Sequence, residues 1–239
     1  MRSDVFVRGV QLSVATTVLS LTAIGFVSDA EASIIIDDFS DVQASWPLTA
    51  DTVGNTLTVN ESGLNNVFGG TRQTDVTLTS AGFPGLDDLR INIFVMPGLF
   101  DYSSTSEASG QLGLLYDAGG AGLNGDFSNQ IGLNIDFLAF DFGSAANLPI
   151  TATISDGMNS ASLTLALTSV GAQSAFFDFN DFAGIGSIDL SSISSVSFDF
   201  DAGLGADFRM SQINTVIPAP GALALLGIAG LLGMRRRRA

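Results

Sequence analysis

Alternation with a period of two dominates the chain from Ser33 to Val216. In Ser162-Leu163-Thr164-Leu165-Ala166-Leu167-Thr168 the leucines share one parity and small polar residues the other. Arg90-Ile91-Asn92-Ile93, Asp75-Val76-Thr77-Leu78-Thr79 and Ser195-Val196-Ser197-Phe198-Asp199-Phe200-Asp201 repeat the pattern. Successive strand side chains point to opposite faces, so each run predicts a strand with one buried and one wet face, the habit of antiparallel sheets. Within Gln130 to Phe142, Ile135 and Phe137 lie on one parity and Phe140 and Phe142 on the other. One extra residue near Leu138-Ala139 would produce that shift, which predicts a β-bulge there. Turn signals separate the runs: Gly69-Gly70, Phe83-Pro84-Gly85, Gly119-Gly120, Asn124-Gly125 and Asp156-Gly157. Roughly ten to thirteen short strands and no amphipathic helix predict an all-β, antiparallel β-sandwich or jelly roll over residues 33–216. Phe177, Phe179, Phe198 and Phe200 fall on the buried parity and are expected in the core. Trp46, Tyr102 and Tyr116 are the aromatics better suited to stack on sugars at a surface.

The two ends read as addresses. Arg2 and Arg8 precede an apolar stretch from Val10 to Val27, and Ala30-Glu31-Ala32 gives a small-x-small pattern. Residues 1–32 are therefore expected to be a signal peptide with a signal helix, cut by signal peptidase after Ala32. Residues 217–239 hold three parts in order. Pro218-Ala219-Pro220 comes first, the uncharged run Gly221 to Met234 second, and Arg235, Arg236, Arg237 and Arg238 third. At about 1.5 Å per residue that run falls short of a hydrocarbon core of about 30 Å; counting from Val216 makes a bare span. The arginines hold the tail inside and leave the body outside. Ile213 to Ala219 is the expected hinge.

This tail resembles the PEP-CTERM sorting signal, in which Pro-Glu-Pro precedes a short transmembrane helix and an arginine cluster; here Ala219 stands where the family has Glu. The resemblance implies recognition by an exosortase-type membrane protease. It also implies membrane association through the C-terminal helix during processing, then residence at the cell surface or in the extracellular matrix.

Composition narrows the body's chemistry. The chain has no Cys and no His, which removes disulfides, thiol nucleophiles, Ser-His-Asp triads and Cys-ligated zinc. Residues 33–216 hold three basic side chains, Arg72, Arg90 and Arg209, against twenty-one Asp and Glu, a net charge of −18. Such a body repels nucleic acid. Glu61 and Glu107 are its only glutamates, both in polar surroundings that read as solvated loops. Asp37-Asp38 and Asp87-Asp88 are adjacent pairs that diverge if they lie in strands. No acid–base pair assembles from these, so the expectation is a non-enzymatic protein that is adhesive or associated with an exopolysaccharide, without a required metal. The alternative is a carbohydrate-binding or calcium-stabilised module. Ile36-Asp37-Asp38-Phe39 and Ala206 to Ile213 resemble the paired edge strands of carbohydrate-binding jelly rolls. That resemblance implies calcium near the amino terminus, with Asp38 and Asp207 as candidate ligands.

Overall fold

The structure, a computed structural model, describes residues 32–42, 47–81 and 91–218. Thirteen strands are described: β1 (Ile35–Asp37), β2 (Leu48–Ala50), β3 (Thr56–Ser62), β4 (Thr71–Ala81), β5 (Ile91–Met96), β6 (Leu99–Ser104), β7 (Ala108–Tyr116), β8 (Gly132–Asp141), β9 (Leu148–Ser155), β10 (Ser160–Leu167), β11 (Gln173–Asp178), β12 (Ser195–Ala202) and β13 (Asp207–Val216). Helix among the described residues is confined to four short 3₁₀ turns. None of the described helices is long and apolar enough to cross a membrane. The expected signal and C-terminal helices lie outside the described residues.

The strands form two antiparallel sheets. One runs β11-β8-β13-β6-β5-β2, with β1 also on β13; the other runs β10-β9-β12-β7-β4-β3. The long β13 carries two neighbours on one edge: β6 pairs Asp207 to Met210, and β1 pairs Ile213 and Asn214. The sandwich expected from the alternation is therefore present.

The phase shift in β8 is a bulge. Arg209 pairs with Ala139 and Met210 with Phe137, so Leu138 has no partner opposite it. Phe137 and Phe140 are buried while Leu138 and Ala139 face solvent. One extra residue thus keeps phenylalanines of both parities inside. The Asp156-Gly157 signal makes the β9–β10 turn. Gly157 takes a φ of 88°, and Asp156 accepts from the backbone N–H groups of Met158, Asn159 and Asp189. These donors hold the Asp156 carboxyl well below its usual range.

Phenylalanine rings join the sheets. Phe198 of β12 meets Phe177 of β11 at 6.0 Å, and Phe200 stacks on Phe208 of β13 at 5.2 Å. Phe177, Phe198 and Phe200 are buried, as the strand parity requires, and Phe179 is buried at the start of a 3₁₀ turn just past β11.

An ionic cluster also joins them. Glu61 and Arg72 face each other across β3 and β4. The Arg72 Nε donates to Glu61 Oε2 at 2.9 Å, and its Nη1 donates to Asp37 Oδ2 of β1 at 2.8 Å. The Tyr116 hydroxyl donates to the same Asp37 oxygen at 3.0 Å, and the Phe39 N–H caps Asp37 Oδ1. Arg72 and Asp37 are wholly buried. The expectation that Glu61 lies in a solvated loop is corrected: it is 3 % exposed and belongs to a strand. Its polar neighbours in sequence mark the wet parity of β3, and Glu61 is on the other.

Candidate functional site

The polar parity of the six-stranded sheet builds a continuous outer surface. Register aligns Thr58 with Asp75, Asp75 with Gly113, Gly113 with Asp199, Asp199 with Thr151, and Thr151 with Thr164. One row of small polar side chains therefore crosses all six strands. A second row beside it runs Asn60, Gln73, Leu115, Ser197, Thr153, Ser162. A third contains Thr56, Thr77, Gln111 and Asp201.

Gly113 makes a notch in the middle row. A Cβ there would sit 3.5 Å from Asp199 Oδ1 and 3.9 Å from Asp75 Oδ2. Its absence opens a trough of about 400 Å³ between these carboxylates, lined also by Thr77, Gln111, Thr151 and Asp201. The two sides differ. Asp75 is fixed, accepting from Thr58 Oγ1 at 2.5 Å and from Gln73 Nε2 at 2.7 Å. Asp199 makes no side-chain hydrogen bond among the described residues, and its carboxyl is pushed up by desolvation and then by the charge of Asp75. Thr151 and Thr164 share a hydrogen bond at 2.8 Å, as do Thr56 and Thr77 at 2.6 Å. The surface offers fixed acceptors, rotatable hydroxyls and a gap at backbone height, which is the equipment for holding a polyhydroxylated chain.

The aromatic expectations are corrected. Tyr102 and Tyr116 are fully buried, at inward positions of β6 and β7. Tyr102 stacks on Phe208 at 4.7 Å, and burial raises its hydroxyl well above the ordinary range. Neither reaches a surface ligand. Trp46 and Asp87-Asp88 lie outside the described residues. Asp38 and Asp207 are not brought together. Asp38 follows β1, which pairs near the carboxyl end of β13, whereas Asp207 opens that strand about 20 Å away. Each carboxylate instead caps a backbone N–H, that of Ser40 and that of Ser104 respectively. Among the described residues no group of three or more Asp and Glu is arranged to hold a metal ion. Glu107 lies in the turn between β6 and β7.

Of the sorting residues, Ala32 and Pro218 are described, both exposed, on either side of the sandwich in sequence. Ala30, Ala219, Pro220 and Arg235 to Arg238 lie outside the described residues. Asp75 and Asp199 are legible in the sequence only as polar positions of alternating runs, and Gly113 and Thr151 carry no signal of their own; what joins the four is register, which pairs strands far apart in sequence.

No protein-family model matches the chain, and no curated protein matches it. Solved structures do. A family 11 carbohydrate-binding module of a cellulosomal cellulase of Clostridium thermocellum is 17% identical, with 79% of this chain and 96% of that one covered and a TM-score of 0.39. The family 11 module from Clostridium thermocellum in complex with a β-1,3-1,4-mixed-linked tetrasaccharide is 17% identical over 77% and 95%, with a TM-score of 0.38. A structure of an exo-β-agarase is 10% identical over 79% of this chain and 26% of that one, with a TM-score of 0.40. Identities and scores this low say nothing of what this chain binds.

Proposed function

We propose that this protein is an exported, non-catalytic β-sandwich that holds a neutral polysaccharide in the trough over Gly113. The observation that carries the reading is the row Thr58, Asp75, Gly113, Asp199, Thr151, Thr164, which crosses six strands with a notch at its centre. A sugar chain presents many hydroxyls and little charge. Carboxylates accept hydroxyl protons in charge-assisted bonds, and threonines both donate and accept. Asp75, Asp199 and Asp201 without a basic partner in the trough repel polyanions, so uronic and sulfated polymers are poor occupants.

The same pair of carboxylates raises the question of hydrolysis. A glycosidase needs one carboxyl kept protonated in a dry pocket and the other free to attack or to activate water. Here Asp75 has both oxygens occupied by fixed donors, and Asp199 is exposed. This arrangement binds rather than cleaves.

Affinity electrophoresis through gels holding mixed-linkage β-glucan, galactan or agarose tests the reading. The wild type is retarded by at least one. Gly113→Val fills the notch in a strand where a β-branched residue fits, and retardation falls at least tenfold with the melting temperature within a few degrees. No retardation of the wild type in any gel rejects the reading, and release of new reducing ends rejects its non-catalytic part.

The routing belongs to the same proposal. Signal peptidase removes residues 1–32, and an exosortase-type protease acts on the tail at Pro218-Ala219-Pro220 while the stretch from Val216 to Met234, with the prolines at its outer edge, makes the bare membrane span. The mature body then stands at the cell surface or in the matrix. Its charge of −18 suits a final home in water.

A further inference from the structure

We propose that a second saccharide site lies on the outer face of the seven-stranded sheet, and that the two sites together make the protein a cross-linker of polysaccharide strands. The inference rests on the polysaccharide reading of the trough but uses different residues and the opposite face. Register places Phe94 beside Asp101, Asp101 beside Arg209, and Arg209 beside Ala139, across β5, β6, β13 and β8. These residues, with Ser103 and Asp207 from the next row, line a cavity of about 510 Å³. That volume is in the range that takes a small ligand.

The cavity holds what the trough lacks. Phe94 is 37% exposed, an aromatic surface on which the apolar face of a sugar ring can lie. Arg209 Nε donates to Asp101 Oδ2 at 2.9 Å, which fixes the guanidinium plane. Its terminal nitrogens carry no hydrogen bond among the described residues, and the side chain is 55% exposed. They are donors aimed by a positioned plane. Asp207 and Ser103 supply acceptors in the adjacent row. The β8 bulge contributes the floor: Leu138 has no partner, and the small Ala139 lies next to Arg209. Stacking surface, oriented donor and acceptors around a low floor define a saccharide subsite, and the surplus of carboxylates over the single arginine again selects a neutral ligand.

The outer faces of a sandwich point in opposite directions, with sheets about 10 Å apart between them. A strand lying in the trough cannot also lie on Phe94 without wrapping an edge. Two occupied sites therefore engage two strands, and at a cell surface that stiffens a polymer network through multivalency rather than through tight single contacts.

The experiment uses the purified body and whichever neutral polymer of the panel retards it. Short oligosaccharides of that polymer give the stoichiometry by calorimetry, and the polymer itself gives the solution viscosity. The wild type binds two oligosaccharides and raises the viscosity severalfold. Phe94→Ala with Arg209→Ala leaves one binding event, sensitive to Gly113→Val, and abolishes the rise; Phe94→Tyr restores it. A viscosity rise that survives Phe94→Ala with Arg209→Ala overturns the proposal, as does a wild-type stoichiometry of one that Gly113→Val removes. A stoichiometry of one that Gly113→Val leaves intact and Phe94→Ala removes upholds the second site and overturns the trough and the cross-linking.

Discussion

Arg72 is an arginine with no solvent-exposed surface, and its surroundings explain why it persists. Burying a guanidinium costs several kcal/mol unless it is paired and hydrogen-bonded. Here Glu61 comes from the neighbouring strand and Asp37 from the opposite sheet, Tyr116 donates to Asp37, and the Arg72 Cζ lies 5.7 Å from the centre of the Phe39 ring. Burial pushes the Asp37 carboxyl up, against the pull of Arg72. Removing the cation removes that pull. Arg72→Met is therefore expected to cost about 3–5 kcal/mol at neutral pH. In the variant the folded Asp37 carboxyl titrates higher still than the unfolded one, so the folded state binds the extra proton. Stability is then regained as pH falls through that raised value toward the ordinary carboxylate range. Denaturant melts of wild type and variant at pH 7 and pH 4.5 check this, and a gap that widens on acidification contradicts it. None of this is visible from composition. Arg72 appears as one of three cations in an acidic body and Glu61 as a polar residue among others, because partners from three strands meet only after folding.

The strands themselves were largely legible, since period two is a local property. The β8 bulge was legible too, because its phenylalanines change parity inside one run. What escaped was pairing, and β1 is the clearest case. Three residues long, it reads as little more than an edge, yet Ile36 and Phe39 are wholly buried and Asp37 reaches Arg72. Ile34 is fixed at both backbone groups: its N–H donates to Thr215 Oγ1 at 2.7 Å, and its carbonyl accepts from the Thr215 N–H at 2.8 Å. A mature chain beginning at Ser33 keeps every one of these bonds. One beginning at Ser40 loses the strand and exposes the edge of β13. Two fully buried apolar side chains worth about 1.5–3 kcal/mol each, together with about 3–5 kcal/mol for leaving buried Arg72 without Asp37, make that loss comparable to the stability of an ordinary domain. A body starting at Ser40 is expected to lose its cooperative thermal transition and elute as aggregate, while one starting at Ser33 melts in a single step. Equal melting of the two would mean that β1 is dispensable.

At the scale of the molecule β13 is the organising strand. The expected hinge from Ile213 to Ala219 is corrected at its start, because Ile213 to Val216 are paired with β8 inside β13; Thr215 holds Ile34, so the two ends of the body leave the fold side by side. The amino end of β13 carries Asp207 and Arg209, which line the Phe94 cavity. Seven residues of strand put about 23 Å between Arg209 and Val216. While the proposed tail is in the membrane, the Phe94 cavity therefore stands at the far end of β13 from the tether. Within the described residues, the last buried apolar side chain in sequence is Ile213. Deleting Arg235 to Arg238 is accordingly expected to leave the body's melting temperature and glycan retardation unchanged. In the native host the deletion is expected to change where the protein accumulates, because the positive cluster that fixes tail orientation is gone. Fractionation with intact-mass measurement of each fraction reports both termini at once. A carboxyl terminus processed as in the wild type after that deletion would mean that the tail acts as an ordinary anchor, and the exosortase part of the proposal would fall while both saccharide sites stood.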